Sequence, residues 1–175
     1  MFNYLKPYVY QNIQEKVHTK NSFYPISEKE IEDYERFYDY EIPSQLKIFY
    51  KEIGYGFLTH PHEYNLEYKF YGSNRINSPA LIKEMLEQGQ TSGIISEVAH
   101  ELLQPGDLPF FEMYDSSAFL KMQALSDNPN AIWTLNPYDP IKIADSLEEF
   151  IKNLYYKDPG YYGDVIEAHY AQVKH

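Results

Sequence analysis

Two histidine-containing stretches have residue types that could bind a metal ion. His60-Pro61-His62-Glu63 offers two imidazoles and a carboxylate, which could supply three ligands. The proline between the histidines favours a loop, and the sequence identifies neither a further ligand nor residues that would orient these, so we interpret the stretch as an exposed turn. Glu97, His100 and Glu101 would share one face of a helix, where a solvated surface is the simpler interpretation.

The remaining reactive residues form no recognisable catalytic arrangement. The sequence lacks a Gly-x-Ser-x-Gly motif, and Ser116 and Ser117 have no assignable histidine and aspartate partners. Gly54-Tyr55-Gly56 follows a predicted helix, whereas a phosphate-binding loop precedes one, so we interpret these glycines as a helix stop. Glu148-Glu149 fall in the first turn of a predicted helix, where the helix dipole favours acids. We therefore predict no catalytic residue, metal or cofactor; an enzyme would need two convergent titratable groups in a pocket.

Length and cysteine content point to one soluble domain. The 175 residues include no cysteine, which excludes disulfides, thiolate metal sites and a cysteine nucleophile. A domain of this length buries about 70% of its unfolded surface, so it folds without such cross-links. No signal peptide is visible, and no apolar stretch approaches the roughly 18 residues of a membrane span. We expect a cytoplasmic protein that contacts no membrane.

Acids and tyrosines are the compositional feature most relevant to binding. The 26 Asp and Glu against 15 Lys and Arg give a formal net charge of −11, which opposes direct binding to nucleic acid. The 19 tyrosines offer large contact areas at low entropic cost. Together they predict a surface that binds a basic protein, although acids that serve solubility and tyrosines that line a small core are the alternative. We assign the contacts to Glu63, Tyr64, Glu67, Tyr68, Tyr71, Tyr114 and Asp115.

Caps and apolar periodicity predict the first helices. Ser27 and Glu30 form a capping box ahead of a helix at about 28–39. The next helix begins at Pro43 and ends at Gly54. Its apolar stripe consists of Leu46, Phe49, Tyr50 and Ile53.

The later elements alternate between helices and short strands. Further helices are predicted at 79–88, at 94–103, from a cap at Asp145 to about 157, and at 161–173. Strands are predicted at 64–70, 108–113, 118–123, 131–135 and 141–143. Because the last four are separated by short turns, they should pair antiparallel. We predict a single α+β domain with an antiparallel sheet of about five strands and helices at its N- and C-terminal sides.

Three motifs in this order resemble the SUKH superfamily, which is named for a fungal cell-wall assembly regulator and its bacterial relatives. After the opening helix, Ile42-Pro43 leads into 46–56, which resembles the Leu/Ile-Pro, helix and glycine-containing turn of that family. Asp107-Leu108-Pro109-Phe110-Phe111 resembles its Pro-Phe strand. The stretch 143–151 resembles its closing Ser-hydrophobic-Glu-Glu-Phe segment. The resemblance divides the chain into an N-terminal segment (1–26), a SUKH-like domain (27–156) and a C-terminal helical extension packed on the same domain (157–175).

The resemblance implies a function in binding rather than in chemistry. Most bacterial members are immunity proteins that bind and neutralise toxins, often nucleases, and are not themselves enzymes. The resemblance implies a toxin as the partner, and the net charge of −11 predicts that the toxin domain is basic. We expect the chain to be a monomer or weak homodimer. The fungal members imply the alternative, an intracellular regulatory scaffold that recruits several cellular proteins.

Overall fold

Seven strands form one sheet in the part of the chain that the computed structural model describes, which is residues 1–10, 21–38, 40–59, 73–88, 101, 103–113, 118–136 and 138–173. The strands are β1 (Asn21–Tyr24), β2 (Tyr55–Thr59), β3 (Ser73–Ile76), β4 (Asp107–Glu112), β5 (Phe119–Gln123), β6 (Ile132–Thr134) and β7 (Lys142–Ala144). Each pairs antiparallel with its neighbours, and they lie in the order of the sequence. The predicted antiparallel α+β fold is confirmed, with seven strands instead of about five.

The first three strands account for the larger sheet. Strands β4–β7 match the predicted ones to within one residue at each end. β1 and β3 have four residues each, and β2 begins between two glycines, so none of the three shows the alternation that identifies a strand by sequence. The predicted strand at 64–70 lies outside the described residues, as does nearly all of the predicted helix at 94–103.

The helices begin and end close to their predicted positions. They are a 3-10 helix (Asn3–Tyr8) and α-helices α1 (Glu28–Tyr38), α2 (Ser44–Glu52), α3 (Pro79–Gln88), α4 (Leu147–Tyr156) and α5 (Tyr161–Val173). The capping box of α1 is present, because the Ser27 amide donates to the Glu30 carboxylate at 2.9 Å and the Glu30 amide donates to the Ser27 hydroxyl at 3.3 Å.

The cap of α4 lies one residue later than predicted. The Glu149 amide donates to the Ser146 hydroxyl at 3.1 Å, and the Glu149 carboxylate accepts from the Asp145 amide at 3.1 Å. Both Asp145 with Glu148 and Ser146 with Glu149 fit the spacing of a capping box. In the fold, the Asp145 carboxylate instead accepts from Lys142 at 2.6 Å, so Ser146 provides the cap.

The main core lies between one face of the sheet and helices α2 and α4. The predicted apolar stripe of α2 is buried, and α4 buries Leu147, Phe150, Ile151 and Leu154. Phe49 of α2 packs edge-on against Phe23 of β1, and Phe150 of α4 packs edge-on against Phe111 of β4 with ring centres 4.8 Å apart. The N-terminal 3-10 helix adds Phe2 to this core, against Phe49.

A smaller apolar cluster lies on the opposite face of the sheet. Successive strand residues point to opposite faces, so Phe119 of β5 points away from Leu120 and the main core. Phe119 is covered by Met85 of α3 and packs with Leu135. Helix α3 therefore shields the middle of the sheet on the side that α2 and α4 leave open.

Candidate protein-interaction surface

The two segments assigned to partner binding join the sheet at the same end of its strands. All seven assigned residues lie outside the described residues, in 60–72 and 114–117. Thr59 pairs with Ser73 where the first segment leaves and rejoins the sheet, and Glu112 pairs with Phe119 where the second does. Since Arg75 pairs with Glu112, both junctions lie at the same end of the strands. We call this end of the sheet, together with the β6–β7 turn (135–141), the loop edge.

The β6–β7 turn presents an exposed tyrosine at the loop edge. Leu120 pairs with Thr134, which places the end of β6 beside the start of β5. The Thr134 amide donates to the Ile141 carbonyl at 3.0 Å, and the Ile141 amide donates to the Thr134 hydroxyl at 3.0 Å. The Tyr138 amide donates to Asn136 Oδ1 at 3.0 Å. The side chain of Tyr138 is 88% exposed although the turn that carries it is closed by hydrogen bonds.

Helix α5 runs along the loop edge and is anchored at both ends. Near its start, the Tyr162 hydroxyl donates to Asn74 Oδ1 at 2.8 Å, and Asn74 Nδ2 donates to the Pro159 carbonyl at 2.8 Å. Near its end, His169 Nε2 lies 3.2 Å from the Asp139 carboxylate in the β6–β7 turn. At 1.5 Å per residue the helix is about 20 Å long, comparable with the width of the four strands from β3 to β6.

The outer face of α5 is acidic and aromatic. Asp164 and Glu167 are exposed, and within the described residues neither has an ion-pair partner. Tyr170, one turn further along, is 43% exposed. Sequence reasoning did not select these residues. The predicted helix turns Val165, Ile166 and either His169 or Tyr170 inward, which leaves Asp164 and Glu167 outside.

A second aromatic group lies on the face of the sheet away from the main core. Tyr24 and Tyr55 pair across β1 and β2 with ring centres 5.6 Å apart, and Tyr10 stacks on Tyr24 at 4.8 Å. Phe57, on the same face, pairs with Arg75, whose guanidinium forms an ion pair with Glu112. Opposite charges at this ion pair neutralise each other, so this face lacks the net negative character of α5.

A buried ion pair joins β4 to β5. Lys121 Nζ lies 2.8 Å from Asp107 Oδ2, and the side chains of the two are 9% and 0% exposed. Asp107 also accepts from the Gln104 amide at 2.9 Å and from Gln123 Nε2 at 2.8 Å. With these acceptors occupied and solvent excluded, the carboxylate is not available to a substrate, and we assign it a structural role.

The tyrosines in the described part of the chain whose pKa is displaced are all displaced upward. Burial raises the pKa of Tyr34 and Tyr50 above the ordinary 10.0. A hydrogen bond between the Tyr8 and Tyr155 hydroxyls is the main cause that raises the pKa of Tyr155 to about 12. These phenols are therefore protonated at neutral pH, and Tyr50 uses its proton to donate to the Asn77 carbonyl at 2.6 Å.

We expect stability to fall steeply above pH 10. Tyr34 and Tyr50 are 3% and 1% exposed, and both keep their protons in the folded state at pH values where the unfolded chain loses them. Unfolding then releases protons, so the free energy of unfolding is fully maintained below pH 10 and decreases above it. Each residue contributes a slope of about 1.4 kcal/mol per pH unit.

Urea unfolding between pH 7 and 11 measures this slope. Tyr50→Phe should lower stability at pH 7, because the Asn77 carbonyl loses its donor, but should make the alkaline slope shallower by about 1.4 kcal/mol per pH unit. Tyr138→Phe, which changes an exposed side chain, is the matched control. An unchanged slope in Tyr50→Phe would contradict the assignment.

Neither a metal-binding cluster nor a membrane-spanning helix occurs within the described residues. In that part of the chain, no group of three or more His, Asp or Glu side chains is arranged to hold a metal ion. No helix there is long and apolar enough to span a bilayer. His60-Pro61-His62-Glu63, Glu97 and His100 lie outside the described residues, and Glu101 is exposed.

Comparisons with known proteins extend over most of the chain. A family model described as the SMI1/KNR4 family (SUKH-1) matches residues 25–153, from the end of β1 to within α4. Over 153 residues the chain is 30% identical to the protein named "Immunity protein YxxD" of Bacillus subtilis (strain 168). That alignment covers 87% of this chain and 95% of the relative. Helix α5 begins after the last residue of the family-model match.

Proposed function

Because the chain belongs to the SMI1/KNR4 family (SUKH-1), we propose that it is an immunity protein that binds a cognate toxin and neutralises it without making or breaking a covalent bond. The observation that carries the proposal is its 30% identity, over 95% of the relative's length, to a protein named as an immunity protein. Neutralisation of this kind requires a surface that recognises the toxin and covers the part that acts. It requires no catalytic residue and no cofactor.

The charge of the chain favours a basic partner, and we propose a nuclease toxin. An enzyme that acts on nucleic acid needs a positive surface for phosphates. A chain with a net charge of −11 is attracted to such a surface, and the attraction accelerates encounter. Aromatic side chains that lose their water in the complex then slow dissociation. We therefore propose that the complex forms in the cytoplasm, where the nucleic acid that needs protection is found.

The contacts that we propose are the seven residues assigned from the sequence. They are Glu63, Tyr64, Glu67, Tyr68, Tyr71, Tyr114 and Asp115. Two facts support grouping them: the segments that hold them join the sheet at the loop edge, and Thr59, Ser73, Glu112 and Phe119 fix those junctions by strand pairing. One partner surface can therefore contact both segments.

Co-expression with the product of a neighbouring toxin gene tests the proposed function. We expect cells that produce the toxin to survive only when this chain is also produced, and the two proteins to elute together from size exclusion as a one-to-one complex. The chain alone should elute as a monomer or weak homodimer. Continued killing together with separate elution would contradict the proposal. Recovery of several cellular proteins without protection would favour the regulatory scaffold.

Alanine substitutions test the proposed contacts. The triple variant Tyr64→Ala, Tyr68→Ala and Tyr71→Ala should weaken toxin binding by at least about 10-fold, since aromatic anchors dominate protein interfaces. Tyr156→Ala is the matched control, because Tyr156 is an exposed tyrosine on α4. Equal binding by the triple variant and the wild-type chain would exclude these tyrosines from the interface and leave the proposed function intact.

A further inference from the structure

We propose that the toxin-binding surface extends beyond the two assigned segments to Tyr138 and the outer face of α5, and that it takes a basic protein surface there. The inference rests on the proposed function and deepens it. Its residues are Tyr138, Asp164, Glu167 and Tyr170, all of them described and exposed. None of them was selected by sequence reasoning.

The positions of Tyr138 and α5 in the fold support the extension. The pairing of Leu120 with Thr134 puts the β6–β7 turn at the loop edge, where the two assigned segments also join the sheet. The contact between His169 and Asp139 brings the end of α5 to the same turn. A partner seated on the loop edge therefore meets Tyr138 and α5 without any rearrangement of the sheet.

The exposure of an aromatic ring on a hydrogen-bonded turn also supports the extension. Tyr138 is 88% exposed, and the turn that holds it is fixed on one side by the Thr134–Ile141 hydrogen bonds and on the other by Asp139 and His169. Ordering a flexible loop on binding opposes affinity, whereas a preformed turn avoids most of that loss. A large amphipathic ring held in this way is typical of an interface anchor.

The charge of the outer face of α5 complements a basic partner. The helical spacing of Asp164, Glu167 and Tyr170 puts the two carboxylates and the phenol on neighbouring positions of the outer face. Within the described residues neither carboxylate is neutralised by a cation, in contrast to Glu112, which is paired with Arg75. This is the arrangement that a lysine- or arginine-bearing surface complements, and a phosphate backbone is repelled by it.

Surface plasmon resonance with the C-terminal domain of the neighbouring toxin, inactivated by substitution, tests the inference. The double variant Asp164→Asn with Glu167→Lys should reduce the association rate constant at least about 5-fold at low salt and flatten its dependence on ionic strength. Tyr138→Ala should raise Kd by at least about 10-fold, mainly through faster dissociation. Circular dichroism and thermal midpoints of both variants should match those of the wild-type chain.

A control with the same change of net charge separates the effect of charge position on binding from the effect of net charge. Glu32→Lys with Asp127→Asn alters exposed acids on α1 and in the β5–β6 turn. That turn lies at the end of the strands opposite the loop edge. We expect this control to bind like the wild-type chain. Wild-type affinity in both test variants, or equal loss in the control, would overturn the inference while the proposed function stands. Absence of binding by the wild-type chain would overturn both.

Discussion

Asp107→Ala is expected to lower the free energy of unfolding by about 3 to 5 kcal/mol, because it leaves the ammonium of Lys121 buried without its counter-charge. The Lys121 side chain is 9% exposed and lies beside a carboxylate that is inaccessible to solvent. The substitution also removes the acceptor of the Gln104 amide and of the Gln123 side chain. Each group left buried without a partner adds to the loss.

Urea unfolding followed by fluorescence measures this effect, because the single tryptophan, Trp133, pairs with Lys121 across β5 and β6. Asp107→Leu combined with Lys121→Met removes both charges and should recover most of the lost stability. Lys142→Met breaks the exposed ion pair with Asp145 and should change stability by less than about 1 kcal/mol. A loss below about 1 kcal/mol in Asp107→Ala would show that the pair is solvated in the folded protein.

The elements that could be predicted from the sequence are those fixed by neighbours along the chain. The stripe of α2, the capping box at Ser27 and the four strands β4–β7 depend on residues a few positions apart, and each was found within a residue or two. Strands β1–β3 depend on partners across the sheet: Asn21 pairs with Leu58, 37 positions away in sequence. The residues of these strands have too little hydrophobic periodicity for the pairing to be predicted from the sequence.

The candidate surface could likewise be predicted only where it depends on local sequence patterns. The composition predicted acids and tyrosines at an interface, but it could not select among 19 tyrosines. The selection of Tyr138 requires the β5–β6 register and the contact of His169 with Asp139, which are separated by 30 positions. The orientation of α5 likewise depends on Tyr162 and Asn74, separated by 88 positions. Local patterns identify the helix, whereas only long-range contacts assign its outer face to the loop edge.

Gly56→Ala is expected to destabilise the protein by more than about 3 kcal/mol or to prevent folding, because β1 occupies the space that a side chain needs. A Cβ at Gly56 would lie 2.1 Å from the Ser22 carbonyl oxygen and 2.9 Å from Phe23 Cα, both of them backbone atoms. The φ of Gly56 is +148°, which L side chains rarely adopt. Gly54 is similarly constrained, with φ +101° and a Cβ position 1.9 Å from the Tyr24 carbonyl oxygen. The glycines therefore stop α2 and also admit β1 beside β2.

Gly163→Ala in α5 is the matched control for this prediction, because a Cβ there would meet no atom within 4 Å. Alanine is favoured over glycine in a helix by about 0.5 to 1 kcal/mol, so this variant should be as stable as the wild-type chain or slightly more stable. Urea unfolding of the two variants side by side measures the difference. A Gly56→Ala variant that unfolds at the wild-type urea concentration would mean that β1 can move away from β2. Strand β1 would then not be required for folding, because the other strands would keep their register without it.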